Sequence, residues 1–382
     1  MAQALQEQGE ARIKLGALEL GRFIAAVMVM LSHAVPYVNR HAAGGQVFNA
    51  MAFPGSLGVQ FFFVLSGFVM ASAHHNDFGK LAAVPRFWWR RACRIYPAYW
   101  LALLIPVYYL YRGIHLGQGL HLALLDPWAA NDFVEFIPAT WTLRFELAFY
   151  VMFGLCLLPY IGKPLLALWV ALTCWHCIDP TAQLLHPPST MPFYWFIHYH
   201  APRFVSFMEF YFFAGLAAGF AYTRWHPGRR VSTVFTVLSL VIFLAMLPTE
   251  DWGRNYSSIP SFMLCMAAVI AASILGLAAM ERSGAIRLGK YAVWAGAMSY
   301  PLYIFHEPIL LLINNNIPLG QYHLPALYAC LLATITAILT VTALVTFLYD
   351  QPVQRLLKRA GRRKKARGSA PGPRWGRRPQ TP

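Results

Sequence analysis

The chain has 382 residues, of which 58% are hydrophobic and 12% are charged, and its formal net charge is +16. Soluble domains carry about 25% charged residues, so this composition excludes an ordinary soluble domain. Near-continuous apolar runs of membrane-spanning length recur along the chain, and no long polar stretch separates them. The sequence therefore predicts a polytopic membrane protein of the all-α class with a single membrane domain.

We predict about ten transmembrane helices from the apolar runs. In chain order the predicted spans are 17–37, 57–75, 94–112, 141–160, 164–179, 203–223, 231–248, 259–280, 291–313 and 324–349. The connecting loops then alternate in charge, since 25 of the 31 lysines and arginines fall in one set of loops and termini and four in the other. Positive loops stay in the cytoplasm, so both termini are predicted to be cytoplasmic, with residues 76–93 inside and 113–140 outside.

Three segments follow from this topology. Residues 1–16 form a polar, cytoplasmic N-terminal segment, residues 17–352 the membrane domain, and residues 353–382 a Pro/Gly-rich tail. No cleavable signal peptide is expected, because the first apolar stretch is long and contains Glu19 and Arg22. Eleven basic residues and no acid follow Asp350, which predicts a disordered cytoplasmic tail lying against anionic membrane lipid rather than nucleic acid.

The first span contains an arginine, Arg22, and a histidine, His33, eleven residues apart. Eleven residues make about three helical turns, so both side chains share one helix face at different depths. Ionisable residues inside a membrane are costly, and each is a candidate functional group by default. The alternative is structural: Glu19 and Arg22 form a salt bridge three residues apart, and a neighbouring helix satisfies the histidine.

The second and third spans add Ser66, followed by Gly67, and a pair of arginines, Arg91 and Arg94. A small pair among bulky aromatics lets another helix or a thin ligand approach closely. The two arginines lie three residues apart on one face at the cytoplasmic boundary. A planar guanidinium binds phosphate in a bidentate manner, although ordinary positive-inside anchoring explains the same residues.

The fourth and ninth spans contribute further polar groups. Arg144 and Glu146 open the fourth span, and Tyr303 and His306, with Glu307 next to them, lie near the outer end of the ninth. A structural ion pair and a proline-kinked helix with a structural histidine are the alternatives. Histidines at positions 186, 198 and 200 lack partner carboxylates or cysteines, so no metal site is predicted.

In combination, these segments resemble the acyltransferase-3 family of integral-membrane acyltransferases, from roughly residue 15 to 355. The resemblance rests on Arg22 and His33 with ten residues between them, on the segment 62–68, on Arg91 to Pro97, and on Trp141 to Glu146. Ser299 to His306 and Asp350 to Pro352 add support, although glutamate is more usual than aspartate at position 350. Order, spacing and placement make the combination specific.

The resemblance implies an enzyme that moves an acyl group, often acetyl, from acyl-CoA to a hydroxyl. Acceptors in bacteria are commonly surface polysaccharides, lipid-linked glycans or small secreted molecules, which implies a multi-pass protein of the bacterial cytoplasmic (inner) membrane. The partners expected are therefore acyl-CoA, a carbohydrate or other hydroxyl-bearing acceptor, and membrane lipid. The oligomeric state is not predicted.

The residue chemistry agrees with that implication. A hydroxyl that attacks a thioester needs a proton acceptor, and histidine suits this role at neutral pH. His33 is the expected base, with Arg22 and Glu146 as further catalytic candidates. Developing charge on the thioester oxygen needs a fixed donor, for which Arg144, Tyr303 or His306 are candidates. Arg91 and Arg94 are expected to bind the CoA nucleotide, and Ser66 to line the path of its pantetheine arm.

Two other functions remain possible from the residues alone. Buried arginine, glutamate and histidine also suit a proton-coupled transporter or exporter. The lack of an internal repeat and the arginines on the side where CoA is made argue against this alternative. A non-catalytic sensor or scaffold is the second alternative, and it would tolerate the loss of His33.

Overall fold

The computed structural model describes residues 15–42, 55–110, 116–126, 135–178, 204–246, 260–317, 321–357 and 359. Within these ranges the regular structure is helical, apart from an isolated bridge between Ala42 and Tyr322. The helices are α1 (Gly16–Asn39), α2 (Gly55–His74), α3 (Ala83–Leu110), α4 (Leu116–Leu124), α5 (Thr140–Cys156), α6 (Gly162–Ile178), α7 (Phe207–Arg224), α8 (Arg229–Met246), α9 (Pro260–Arg282), α10 (Lys290–Asn316) and α11 (Leu324–Leu344). A π-helical segment, Val345–Asp350, and a further helical stretch extend α11 to residue 357.

The all-α prediction is therefore confirmed for the described residues, and each predicted span overlaps one helix. In the part of the chain that the structure describes, five helical stretches are long and apolar enough to cross a membrane, and they lie in α1, α2, α8, α9 and the extended α11. The count of ten crossings and the cytoplasmic termini stay predictions. Residues 1–14 of the predicted N-terminal segment, residues 358 and 360–382 of the tail, and the histidines at 186, 198 and 200 lie outside the described residues.

Helices α2 and α7 are in direct backbone contact through glycines. A Cβ atom at Gly67 would overlap the carbonyl oxygen of Phe212, and a Cβ at Gly215 would overlap that of Val64. Small residues allow this approach where lipid supplies no hydrophobic drive for helix association. Contacts advance along both helices in the same direction, since Gly219 in turn meets the 68–71 turn of α2. The two helices are thus parallel, as the charge-derived topology requires.

The start of α1 is fixed by a carboxylate from another helix. The backbone N–H groups of Gly16 and Ala17 donate to the two oxygens of Glu281, at 2.8 and 2.9 Å. The first N–H groups of a helix have no partner within it, and a negative charge there also suits the helix dipole. The next residue, Arg282, donates from Nη1 to the carbonyl of Tyr222 at 2.7 Å, near the end of α7. Adjacent residues of α9 thus anchor both α1 and α7.

The short helix α4 was not predicted, because nine residues are too few to span a membrane. Residues 113–140 were predicted only as an outer segment. Three donors on one face of α3, Tyr96, Tyr99 and Trp100, bind the carbonyls of residues 122–124 at the end of α4. These carbonyls have no partner within their own helix. The aromatic face of α3 therefore caps α4 and folds it back along α3.

Candidate active site

A cavity opens between α1, α2, α3, α5 and α10, and it encloses about 780 Å³ including the part open to solvent. Its wall combines charged groups with an aromatic and aliphatic surface. The lining residues are Arg22, Val59, Phe62, Phe63, Leu65, Ser66, Val69, Arg91, Arg94, Ile95, Thr142, Leu143, Glu146, Tyr150, Tyr300 and Tyr303. Six residues named from the sequence as candidates thus share one cavity: Arg22, Ser66, Arg91, Arg94, Glu146 and Tyr303.

Three arginines give the cavity an excess of positive charge. Arg22, Arg91 and Arg94 line it together with one carboxylate, that of Glu146. The guanidinium of Arg91 lies 5.0 Å from the ring centre of Tyr150, and its Nη2 atom is buried without a hydrogen-bond partner among the described residues. A buried donor without a partner is costly, which suits a site that an anion completes.

Glu146 is held in the cavity wall by two hydroxyl groups. Ser66 Oγ donates to Glu146 Oε1 at 3.0 Å, and the Tyr150 hydroxyl donates to the same oxygen. From the sequence, Glu146 was a candidate to act in catalysis together with His33. Instead, the described carboxylate within 4 Å of His33 is that of Glu307. The difference arises because the side chain of Glu146 points towards α2 and the arginines.

The opposite end of the cavity is formed by Tyr303 and Thr142. Their hydroxyl oxygens lie 2.5 Å apart, and the Tyr303 hydroxyl also lies 3.1 Å from the carbonyl oxygen of Ala139. Tyr303 packs with Val29, and with Phe62 of the cavity wall. These contacts fix a phenol at the point where the cavity ends.

His33 lies one helical turn beyond Val29, next to this end of the cavity. Its Nδ1 atom is 2.8 Å from Nε2 of His306 and 3.8 Å from Oε1 of Glu307. The other oxygen of Glu307 accepts the backbone N–H of Ala139 at 2.6 Å. His306 is fully buried, whereas the His33 side chain keeps 42% of its surface exposed. The structure therefore brings His33 and His306 together, and adds Glu307.

The three side chains offer donor atoms within 4.8 Å of one another, which by distance alone suits a metal ion. The ring geometry indicates a hydrogen bond instead. The two imidazole planes differ by 6°, and the ring centres are 5.1 Å apart. The ring centres are farther apart than the two nitrogens, at 5.1 against 2.8 Å, and the difference of 2.3 Å matches one ring radius on each side.

The two facing nitrogens therefore lie on the line that joins the ring centres. Each nitrogen of the pair points directly at the other, within the plane of its own ring. Two ligands of a common metal direct their lone pairs at a third point. The contact between His33 and His306 is thus an in-plane hydrogen bond, with one proton between the nitrogens.

Arg144, another site residue predicted from the sequence, is also absent from the cavity wall. Its Nε atom is 2.8 Å from Oε1 of Glu135, and the arginine side chain is 1% exposed. The second oxygen of Glu135 accepts the hydroxyl of Thr140 at 2.8 Å. This arrangement favours the structural alternative for Arg144, an ion pair that ties the start of α5 to the segment before it.

Sequence reasoning gave no role to three groups that the structure places at the site. Glu307 was recognised as an intramembrane ionisable residue, but nothing assigned it to His33. Thr142 and Tyr150 belong to the same helix as Glu146 and face the cavity with it. Thr142, Glu146 and Tyr150 are spaced four residues apart, so they share one face of a helix. This spacing could have predicted that all three face the site.

The comparisons with known proteins bear on the same residues. The acyltransferase-3 family, described as an acyltransferase domain, matches residues 15–346. The chain belongs to this family. A curated relative from Streptomyces mycarofaciens, "Acyltransferase MdmB", is 25% identical over 392 aligned positions, covering 94% of this chain and 96% of the relative. "Protein 2 in picA locus" of Rhizobium radiobacter is 30% identical over 141 positions, covering 34% and 68%. No solved structure matches the chain.

Family membership confirms the resemblance seen in the sequence and supports an acyltransferase role for this membrane protein. The matched range includes the cavity, the histidine pair and Glu307. Membership in an acyltransferase family also disfavours the transporter and scaffold alternatives.

Proposed function

We propose that this protein transfers an acyl group, with acetyl as the first expectation, from acyl-CoA to a hydroxyl of a carbohydrate or another small acceptor. The observation that carries the proposal is the continuity of the site. One cavity joins Arg91 and Arg94 at one end to Tyr303 at the other, and Tyr303 adjoins the pair of His33 and His306.

The arginine end suits the nucleotide of CoA. CoA carries several negative charges, and guanidinium groups bind phosphate through two parallel hydrogen bonds. Arg91 offers a buried Nη2 atom without a hydrogen-bond partner among the described residues. Arg91 and Arg94 also belong to the loops and helix ends that the charge bias assigns to the cytoplasm, where acyl-CoA is made.

The middle of the cavity suits the pantetheine arm. Arg22 and Ser66 line this part, among the phenylalanine and aliphatic side chains of α2. The thioester then reaches Tyr303, whose phenol is fixed by Thr142 and the carbonyl of Ala139. A fixed hydroxyl at this point can donate to the oxygen on which charge develops. Tyr303 takes this role better than Arg144, which is paired with Glu135 outside the cavity.

With His33 as general base, each bond and each proton in the transfer is accounted for. The acceptor oxygen bonds to the thioester carbonyl carbon while its proton passes to His33. The carbon–sulfur bond then breaks, and the sulfur of CoA takes the proton from the imidazolium. The products are the acylated acceptor and free CoA, and His33 returns to its starting form. The exposed face of His33 is where the acceptor would enter.

The cellular setting follows from the same assignment. We place the protein in the cytoplasmic (inner) membrane of a bacterium, with the donor entering from the cytoplasm and the acceptor from the outside. Surface polysaccharide, lipid-linked glycan and secreted small molecules are the acceptor classes. The basic tail would lie against anionic lipid.

Mass spectrometry of surface glycans and secreted metabolites tests the proposal directly. Cells with and without the protein should differ by the mass of one acyl group on one class of molecule. Purified protein supplied with radiolabelled acetyl-CoA and that molecule should then transfer the label. Identical glycan and metabolite profiles would overturn the proposal, and so would a molecule that differs in mass but takes no label from acyl-CoA.

A further inference from the structure

Both ring nitrogens of His306 are engaged, and their partners define where its proton lies. Nδ1 is 3.2 Å from the carbonyl oxygen of Leu302, one turn earlier in α10. A carbonyl can only accept, so Nδ1 carries the hydrogen. A neutral imidazole has one N–H, and Nε2 of His306 is therefore an acceptor.

Because Nε2 of His306 accepts a hydrogen bond, it determines the tautomer of His33. Nε2 of His306 lies 2.8 Å from Nδ1 of His33, in the plane of both rings. With no hydrogen on the His306 nitrogen, the proton between the rings belongs to Nδ1 of His33. The remaining nitrogen of His33, Nε2, then holds the free lone pair.

We infer that His306 is a positioning residue that holds His33 protonated on Nδ1. Nε2 of His33 is then the atom that takes the proton from the hydroxyl of the acyl acceptor. The inference rests on the proposed role of His33 as base. It assigns the reacting atom and explains why the fully buried His306 faces His33, whose side chain is partly exposed to solvent. His306 itself has no nitrogen left to donate to a substrate.

Glu307 completes this arrangement. Its Oε1 atom lies 3.8 Å from Nδ1 of His33, while its other oxygen is fixed by the N–H of Ala139. When Nε2 takes a proton, the imidazole becomes positive, and a fixed carboxylate nearby stabilises that charge. The proton on Nδ1 stays in place throughout, so the chain of hydrogen bonds does not have to rearrange.

Two substitutions of His306 separate positioning from packing. His306→Gln places an amide oxygen near the position of Nε2 and keeps an acceptor for His33, whereas His306→Leu fills the space without one. We expect the glutamine variant to keep transfer within a few-fold of the original. The leucine variant should lose on the order of 10²-fold in kcat, with an unchanged KM for acyl-CoA. Equal activity of the two variants would overturn the inference.

Nitrogen NMR of the full-length protein labelled with ¹⁵N-histidine gives a second readout that packing alone does not change. Subtracting the spectrum of His33→Gln assigns the two His33 signals among the 13 histidines. The original protein and His306→Gln should show His33 with hydrogen on Nδ1, and His306→Leu should lose that preference. Hydrogen on Nε2 of His33 in the original protein would overturn the inference.

The two proposals can fail separately. A reversed tautomer leaves the transferase intact but removes the positioning role of His306. Absence of label transfer with the expected tautomer removes the transferase but leaves the histidine pair. Thermal stability and acyl-CoA binding of each variant show whether a loss of activity comes from unfolding.

Discussion

Nδ1 of His33 lies 2.8 Å from Nε2 of His306, although 273 positions separate the two residues in the chain. The pair joins α1 to α10, two helices that are also in tight contact where a Cβ at Gly296 would overlap Glu19. The orientation of the His33 ring therefore depends on a long-range helix contact. Substitutions along this contact should alter activity even where they touch no substrate.

Replacement of Arg91 or Arg94 by alanine should weaken donor binding. Phosphate contacts exist in both the ground state and the transition state, so the KM for acyl-CoA should rise more than kcat falls. Lysine should restore binding only partly, because the bidentate fork is lost. Initial rates over a range of acyl-CoA concentrations measure both parameters.

Arg90 provides the matched control. It is adjacent in sequence and charge but exposed, and it is absent from the cavity wall. Arg90→Ala should leave the KM close to that of the original protein. If the double variant of Arg91 and Arg94 binds acyl-CoA as tightly as Arg90→Ala, these arginines serve only as membrane anchors.

Removal of the Arg144 side chain should lower the stability of the protein more than it lowers the rate of acyl transfer. Breaking a buried ion pair leaves the partner charge uncompensated, which costs about 3–5 kcal/mol. Arg144→Ala should therefore melt at a lower temperature, yet keep its rate per folded molecule and its KM for acyl-CoA. A full loss of kcat in a variant that melts normally would place Arg144 in the reaction instead.

A methyl group at Gly67 should disturb the contact between α2 and α7. The added Cβ would overlap backbone atoms of α7, which cannot move without shifting the helix. Overpacking of this kind costs about 1–3 kcal/mol. Gly228→Ala is the control, because nothing lies within 4 Å of a Cβ at that position. Thermal unfolding should separate the two, and equal melting temperatures would contradict the described packing.

Topology can be tested with single cysteines in a cysteine-free background. Asn76→Cys lies in the turn after α2, which the charge bias assigns to the cytoplasm, and Gln321→Cys lies before α11 on the predicted outer side. An impermeant maleimide added to intact cells should label position 321 and not 76. The reverse pattern would overturn the predicted orientation.

Much of the fold was available from the sequence because hydrophobic length and loop charge are local properties. The helices α1, α2, α8, α9 and α11 follow from their apolar runs. The short helix α4 does not, because its contacts with Tyr96, Tyr99 and Trp100 depend on how the chain folds back. The nine residues of α4 do not reveal in their own sequence which residues of α3 they contact.

The site divides in the same way. Intramembrane charge identified Arg22, His33 and His306, because such residues are costly unless they function or pair. The sequence did not show the direction in which each side chain points. Glu146 and Glu307 are both intramembrane carboxylates, and only the packing of α5 and α10 shows which one meets His33. For Arg144, a candidate donor, the sequence did not reveal the ion-pair partner, because Glu135 lies outside the predicted span.

The central claim is that His33 accepts the proton of the acceptor hydroxyl. Transfer rate, acyl-CoA binding and thermal stability of the original protein, His33→Ala and His33→Gln test it most directly. Glutamine keeps a polar group of similar reach but cannot act as a base near pH 7. Both variants should fold and bind acyl-CoA, and both should lose about 10²–10⁴-fold in transfer rate. An active His33→Gln enzyme, with His33→Ala impaired only in stability, would contradict the mechanism.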